Sequence, residues 1–120
     1  MQAMCEYGER RSVSIPQEPE PCVWFLVDDL VSAQKMRSDV SRPNFGLLVD
    51  LGHMGLDREP TADLGPAADA ALHAHFSDHQ ANQHTDQVIG TGAMPLGEMM
   101  AGLRRLQVDD LVCAPGVTTS

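Results

Sequence analysis

Apolar runs separated by polar, Pro-containing or Gly-containing segments predict alternating strands and helices along the chain. Leu47 to Val49 form a continuous apolar run that ends at Asp50, which is typical of a strand buried on both faces. Residues 96–106 carry apolar side chains at steps of three and four, and this spacing predicts the clearest helix. The remaining pattern predicts strands at 11–15, 72–76 and 110–114, helices at 28–39 and 66–72, and loops after Gly52 and at 77–87. Pro16 is expected to end the first strand.

This order of elements predicts an α/β fold with about four parallel strands, because strand–helix–strand connections are almost always right-handed crossovers between parallel strands. The 120 residues are expected to form a single domain, 1–120, with flexible ends at 1–11 and 115–120. A complete barrel of this type needs roughly 250 residues, so a chain of this length supplies only part of one.

The net charge indicates which binding partners to expect, and the spacing of the cysteines indicates the cellular compartment. The formal charge is −9, with 8 Lys and Arg against 17 Asp and Glu, which argues against nucleic acid and anionic membranes as partners. The longest apolar stretch, 23–27, is too short to span a bilayer, and residues 1–11 do not form a signal peptide. Cys5, Cys22 and Cys113 form no C-x-x-C pair, so free thiols in the cytoplasm are expected.

Groups of carboxylate and imidazole side chains follow the predicted strands. Glu18 and Glu20 lie in a Pro-rich loop after the first strand, and Asp50 and His53 follow the second. The third group comprises His73, His75, Asp78, His79, His84 and Asp86. Functional residues collect at the carboxyl ends of parallel strands, and a divalent metal of intermediate hardness accepts this mixture of ligands. Each group alone also fits a structural role, such as a solvated Glu or an Asp that caps a backbone N–H.

Three short motifs together resemble a known family. The stretches PNFGLLVDLGH (43–53), HAHFSD (73–78) and QVIGTG (87–92) resemble the sugar phosphate isomerase/epimerase family, which shares its TIM barrel with xylose isomerases and apurinic-site endonucleases. The resemblance runs from about residue 12 to 114. It implies a partial (β/α) barrel, the C-terminal half of a xylose isomerase-like fold, that acts on a sugar or sugar phosphate.

The resemblance also implies ligands for one divalent ion. The family's strand-end Glu falls on Glu18, or on Glu20 if the register differs, its Asp on Asp50, and its strand histidine on His75. His53 takes the place of a substrate contact or second ligand. Glu18 and His53 would then be the catalytic residues, as base and as the group that polarises a substrate oxygen. Mn²⁺, Mg²⁺ and Zn²⁺ each fit such a ligand set.

Further residues are candidates for contacts to the substrate or behind the ligands. These are Glu20, His73, Asp78, His84 and Asp86. The family carries an Asp-x-His element before the Ile-Gly-x-Gly turn, whereas this chain has His84-Thr85-Asp86, the same residue types in reversed order. The reversal weakens the implication of a ligand role for these two residues.

The family's last Glu should follow the strand at 110–113, where this chain has Ala114-Pro115. A truncated or degenerate sugar isomerase or epimerase is therefore the leading hypothesis. The alternatives are a non-catalytic barrel remnant that acts in assembly or metal binding, and a metal-dependent hydrolase or endonuclease. Because an open four-stranded parallel sheet invites pairing, a homo-oligomer is expected. The helix at 96–106 could instead fold over the open face.

Overall fold

The structure is a computed structural model that describes residues 1–21, 24–62, 64–108 and 111–113. The helices are α1 (Gln2–Glu9), α2 (Leu30–Val40), α3 (Leu51–Leu56), α4 (Ala67–Ala70) and α5 (Leu96–Leu103). The strands are β1 (Ile15–Gln17), β2 (Phe45–Asp50), β3 (Ala71–Phe76), β4 (Asp78–Gln80), β5 (Gln83–Gln87) and β6 (Leu111–Cys113). Within these residues, every helix is too short or too polar to cross a membrane.

The main sheet has the strand order β1-β2-β3-β6, and all three pairings are parallel. This confirms the predicted α/β class with parallel strands that alternate with helices. The pairing of β2 with β3 sets Asp50 opposite His75. Since parallel strands end at the same edge, the residues that follow β1, β2 and β3 are brought to one end of the sheet.

The apolar core lies between the helices and one face of this sheet. Leu47 and Val49 of β2 are fully buried, as is Ala74 of β3, and they cluster with Leu30 of α2 and Met99 of α5. Burying a side chain such as Leu stabilises the fold by about 1.5–3 kcal/mol. Asp50 and His75 lie at or near the carboxyl ends of the same two strands. The packing of the core therefore holds in place the backbone that carries these two side chains.

Helix α2 begins where a capping box satisfies its free N–H groups. The Asp29 carboxylate accepts the Ser32 N–H at 2.7 Å, and the Ser32 hydroxyl lies 3.2 Å from the Asp29 backbone N. The Glu59 carboxylate accepts the Leu30 N–H at 3.1 Å, and burial raises the pKa of Glu59. Ser41 ends the helix in the left-handed conformation, with φ 49°.

The prediction that Pro16 ends the first strand is wrong. Strand β1 runs from Ile15 through Pro16 to Gln17. In the described sheet β1 is an edge strand, and an edge position tolerates a residue without an N–H because no bond to a second neighbour is lost there.

Two of the predicted loops are wrong. Residues after Gly52 form α3, because the Asp50 carboxylate accepts the N–H groups of Gly52 and His53 and so starts a helix directly after β2. Residues 77–87 contain the antiparallel hairpin β4–β5. Its turn places Asn82 at φ 59°, a conformation that Asn tolerates well.

At the start of the chain, residues 1–11, expected to be flexible, contain helix α1. Cys5 of this helix is fully buried against Val40 and Phe45. Arg42 forms an ion pair with Glu6, which ties α1 to the loop before β2. Residues 115–120, also expected to be flexible, lie outside the described residues.

Candidate functional site

Three neighbouring strands bring Glu18, Asp50 and His75 together. Glu18 follows β1 directly, Asp50 is the last residue of β2, and His75 lies opposite Asp50 in β3. The His75 Nδ1 atom is 3.2 Å from Glu18 Oε1 and 3.5 Å from Asp50 Oδ2. Asp50 is buried, and the other two side chains are half-buried.

The two oxygens of Asp50 have different surroundings. Oδ1 accepts the backbone N–H of Gly52 at 2.8 Å, that of His53 at 3.0 Å and the Ser77 hydroxyl at 3.3 Å. Oδ2 lies 3.5 Å from a ring nitrogen of His53 and 3.5 Å from one of His75. One oxygen therefore fixes the carboxylate, and the other faces the histidines.

His53 links the loop after β1 to the site. Its Nδ1 atom is 3.1 Å from the carbonyl oxygen of Pro19. Because a carbonyl oxygen only accepts, Nδ1 carries the hydrogen in this contact and Nε2 of the neutral ring keeps a lone pair. Nε2 lies 3.5 Å from Asp50 Oδ2 and 3.1 Å from His84 Nε2.

The spacing of the ligand atoms fits a common divalent ion. Ligands that bind one ion at about 2.0–2.2 Å lie roughly 3–3.5 Å from each other. The distances from His75 Nδ1 to Glu18 and Asp50, 3.2 and 3.5 Å, are in this range. Ligand atoms of Glu18, Asp50 and His53 also lie within 4.8 Å of one another. His53 Nδ1 is engaged by Pro19 and is 3.9 Å from Glu18, so His75 has the better geometry.

Of the remaining predicted candidates, His73 lies beside His75, whereas Glu20 makes a backbone contact to a later part of the same loop. Glu20 donates its backbone N–H to the carbonyl oxygen of Val27 at 3.1 Å, which closes the loop that begins two residues after Glu18. The His73 ring lies 5.3 Å from the His75 ring, so both point to the same face of β3, as the alternation of a strand predicts.

Asp78 anchors a loop. Its buried carboxylate accepts the N–H groups of Gly90, Gly92 and Met94 at 2.8, 2.9 and 3.2 Å. Desolvation is the largest single influence and raises the pKa of Asp78, but the backbone N–H groups together outweigh it and leave that pKa below its usual value. Asp78 thus positions residues 90–94 through its carboxylate.

Replacement of Asp78 with Asn is expected to lower the free energy of unfolding at neutral pH by about 2 kcal/mol, because hydrogen bonds to a charged acceptor weaken. The lowered pKa means that the contribution of the carboxylate is present above about pH 4 and is lost as the pH falls through the folded-state value. Urea unfolding at pH 7 and near pH 3 should show this difference shrinking in acid. The control Asp39→Asn removes an exposed ion pair with Lys35 and should change stability by less than about 1 kcal/mol.

Ser77 and His79 are buried, and the sequence points to His79 only as a member of the third group of polar residues and does not point to Ser77. The Ser77 hydroxyl lies 2.8 Å from His79 Nε2 and also donates to Asp50. Burial is the largest influence on the pKa of His79 and lowers it, against the opposing effects of the Thr85 backbone and nearby carboxylates. The signal that could have identified these residues is the spacing of His75, Ser77 and His79, every second residue of an extended segment.

The hairpin β4–β5 brings His84 and Asp86 toward this region. Both are exposed, and their spacing puts them on the same side of β5. His84 Nε2 approaches His53, and Asp86 Oδ1 lies 4.0 Å from His79 Nδ1. The reversed His-x-Asp element therefore contacts histidines from α3 and β4.

Comparison with known proteins places this arrangement in context. Residues 1–115 match the family model of the xylose isomerase-like TIM barrel. No curated protein matches the sequence significantly. Among solved structures, the chain is similar to the IOLI protein with a bound zinc atom, at 20% identity and a TM-score of 0.78 over 96% of this chain and 44% of that one.

Two epimerases are also similar in structure. One is D-allulose 3-epimerase from Methylomonas sp. in complex with D-allulose, at 18% identity and a TM-score of 0.78 over 99% of this chain and 40% of that one. The other is the 3-keto-D-glucoside 4-epimerase YcjR from E. coli, at 17% identity and a TM-score of 0.79 over 99% and 44%. The chain spans less than half the length of these proteins, and at such identities the likeness shows the fold.

Proposed function

The chain belongs to the xylose isomerase-like TIM barrel family, and on that premise we propose that it serves metal-dependent isomerisation or epimerisation of a sugar or sugar phosphate. The observation that carries the proposal is the meeting of Glu18, Asp50 and His75 at the carboxyl ends of three parallel strands. Barrels of this type build their active sites at that end. The zinc bound by the IOLI protein and the activities of the two epimerases agree with this choice.

Glu18, Asp50 and His75 would hold the ion. Two carboxylates and one imidazole suit Mn²⁺, Mg²⁺ or Zn²⁺. When bound, such an ion would polarise a sugar carbonyl and its neighbouring hydroxyl, which makes the hydrogen on the adjacent carbon more acidic. Asp50 is well suited to a ligand role, because hydrogen bonds to Oδ1 orient the carboxylate while Oδ2 faces the histidines.

Glu18 is proposed as the base that takes this proton. Its carboxylate is half-buried and stands on the loop that His53 fixes through Pro19. His53 is proposed to polarise a substrate oxygen. Because its Nδ1–H donates to the carbonyl oxygen of Pro19, the ring can donate a second hydrogen bond from Nε2 only as the imidazolium. In the part of the chain that the structure describes, Glu18 and Asp50 are the carboxylates that reach His75. The second acid–base group is proposed to come from the rest of an assembled barrel.

The proposal is tested by deuterium exchange into candidate sugars. Ketoses and their phosphates are incubated in D₂O with protein loaded with Mn²⁺, Mg²⁺ or Zn²⁺, and NMR measures loss of the proton next to the carbonyl. Exchange should require the metal and fall at least about 100-fold in Glu18→Gln, as expected for loss of a general base. The matched variant Glu20→Gln tests the other register, since the loss would follow Glu20 if that residue were the ligand.

Absence of exchange in a protein that binds metal would contradict the catalytic proposal and favour a barrel remnant that only binds metal. Metal-dependent cleavage of DNA with apurinic sites, without sugar exchange, would favour the hydrolase alternative. The acidic composition, with a formal charge of −9, weighs against that last outcome.

The chain is proposed to assemble as a homodimer or higher oligomer. Among the described strands, β1 and β6 each pair on one side only. Open edges of a parallel sheet attract further strands, and two copies together would supply eight. Light scattering at micromolar concentration should report at least twice the monomer mass, and a clean monomer would contradict the proposal.

A further inference from the structure

Among the described residues, the sheet face opposite the apolar core is left partly open. Gly46, Leu48 and Asp50 point to this face, because they alternate with the buried core residues of β2. Leu72 of β3 lies over Gly46, since a Cβ added there would be 2.5 Å from Leu72 Cγ, yet Leu72 is 41% exposed. Helix α5 does not cover this face, because it packs with the core on the other one. The open face therefore has room for a further layer of protein.

The strand ends of the sheet are staggered, and the stagger has the size that a closed barrel needs. Gln17 ends β1 and pairs with Leu47, three residues before β2 ends at Asp50. Asp50 pairs with His75, one residue before the end of β3, and the last residue of β3 pairs with Cys113 at the end of β6. From β1 to β6 the ends therefore shift by four residues in all. A (β/α) barrel has eight strands and a shear of 8, so two such sheets joined edge to edge supply both numbers.

The helices beside the two sheet edges carry apolar side chains on their outer flanks. On α1, Glu6 faces the loop before β2, whereas Met4 and Tyr7 lie on another flank and are exposed. On α5, Glu98 lines a cavity with α3, and the exposed Met100 lies on the opposite flank. If β6 of one copy paired with β1 of another, α5 of the first and α1 of the second would become neighbours and cover these side chains.

From the stagger and these open surfaces we propose that two copies close a two-fold barrel, in which β6 of each copy pairs in parallel with β1 of the other and each site takes a carboxylate from both copies. The inference rests on the proposed function and on the oligomer proposed with it. A partner for this sheet must bring four parallel strands with a stagger of four residues, and a second copy does so. In the register that keeps the strand ends level, Cys113 of one copy lies opposite Gln17 of the other.

This register brings Glu18 of the second copy to the far side of His75. Extended by one residue, the register of β1 with β2 sets Glu18 of the same copy level with His73. The same extension beyond Cys113 sets Glu18 of the second copy level with Ser77. His75 lies midway, and positions of equal height in such a barrel shift by about one residue per strand. The two Glu18 residues therefore stand at the height of His75, each two strands away from it on opposite sides.

A second carboxylate is what the proposed chemistry needs. Epimerisation takes a proton from one face of the carbon next to the carbonyl and returns a proton to the other face. Glu18 of the same copy becomes protonated when it takes the first proton. Glu18 of the second copy starts as the acid and becomes ionised when it returns one. Asp50 cannot easily take this part, because its carboxylate is held by the N–H groups of Gly52 and His53.

A disulfide between copies tests the pairing without reference to activity. Gln17→Cys places a thiol opposite Cys113 of the second copy, and neighbouring strands hold paired Cα atoms about 5 Å apart, within the range of a disulfide. Mild oxidation of the full chain should give a covalent dimer on a non-reducing gel. Neither wild type nor Gln17→Cys combined with Cys113→Ser should do so, which controls for the other cysteines. Absence of a Cys113-dependent dimer would overturn the inference and mean that another polypeptide covers the open edges.

Mixed dimers test the shared carboxylate. Wild type is refolded from urea with an excess of Glu18→Gln, so that about nine in ten wild-type copies pair with the variant, and metal-dependent deuterium exchange is measured per wild-type copy. Exchange should fall about tenfold, because the variant supplies no acid to the wild-type site. Asp50→Asn, itself inactive, is the matched control. It still carries Glu18, so wild-type copies paired with it should keep their exchange.

The outcomes separate this inference from the proposed function. If wild-type copies kept their exchange in the presence of Glu18→Gln as well, each site would use only its own Glu18, and the inference would be overturned. A Cys113-dependent dimer that exchanges no sugar under any condition would instead count against the proposed function. The paired barrel would then stand without its catalytic role.

Discussion

Replacement of Asp50 with asparagine is expected to weaken metal binding at the Glu18–His75 site by more than about 100-fold while the protein stays folded. Asparagine keeps an oxygen at Oδ1, which can still accept the N–H groups of Gly52 and His53 that start α3. At Oδ2, however, the oxygen that faces His75 at 3.5 Å becomes an amide nitrogen, which is not a metal ligand.

Asp50→Ala is the matched comparison, because it removes both functions of the side chain. Loss of a helix cap costs about 0.5–2 kcal/mol, and the Ser77 hydroxyl also loses its buried acceptor, so a total near 2–3 kcal/mol is expected. Urea unfolding and the metal content of both variants separate the two effects. Full metal content in Asp50→Asn would exclude Asp50 as a ligand, and no metal in the wild type would remove the basis of the catalytic proposal.

The part of the fold that could be predicted is the part that apolar periodicity describes. The run from Leu47 to Val49 predicts a buried strand, and the structure has β2 there; the steps of three and four from Leu96 predict α5. Once the strands are known to be parallel, their carboxyl ends must meet, so the approach of Glu18, Asp50 and His75 follows from topology. None of these steps needs knowledge of side-chain contacts.

The missed elements are those that depend on one polar contact. Helix α3 exists because a single carboxylate, that of Asp50, accepts two N–H groups, and its two glycines argued for a loop. Strand β5, from Gln83 to Gln87, is polar throughout and has no apolar alternation. The sequence signal for its pairing with β4 is Asn82, a residue type that readily adopts the positive φ of a tight hairpin turn.

The contacts among His53, His79 and His84 also could not be predicted from the sequence. Sequence spacing groups His79 and His84 but cannot say that the hairpin β4–β5 folds both toward His53. Nor can it assign hydrogens to ring nitrogens, which depends on partners such as the Pro19 carbonyl and the Ser77 hydroxyl. The reversed order of His84 and Asp86 weakens a ligand role by comparison with the family, and in the structure His84 lies 3.1 Å from His53 while Asp86 lies 4.0 Å from His79.

Gly52→Ala is expected to lower the free energy of unfolding by about 3 kcal/mol or more. A Cβ at this position would lie 2.7 Å from the backbone carbonyl of Ser77 and 2.9 Å from His79 Nε2, and it would overlap the Ser77 hydroxyl. Overpacking of this kind costs about 1–3 kcal/mol, and displacement of Ser77 breaks its hydrogen bonds to Asp50 and His79 as well. Stability would therefore fall together with the affinity of the proposed Glu18–Asp50–His75 metal site.

Gly97→Ala provides the control, because Gly97 is also the second residue of its helix and a Cβ there would meet no atom within 4 Å. It should leave stability unchanged or raise it by up to about 1 kcal/mol, as expected where only helix propensity changes. Urea unfolding of the two variants, with zinc titration of each, compares the same substitution in two surroundings. Equal stabilities would contradict the crowding of Gly52 against Ser77 and its contribution to stability.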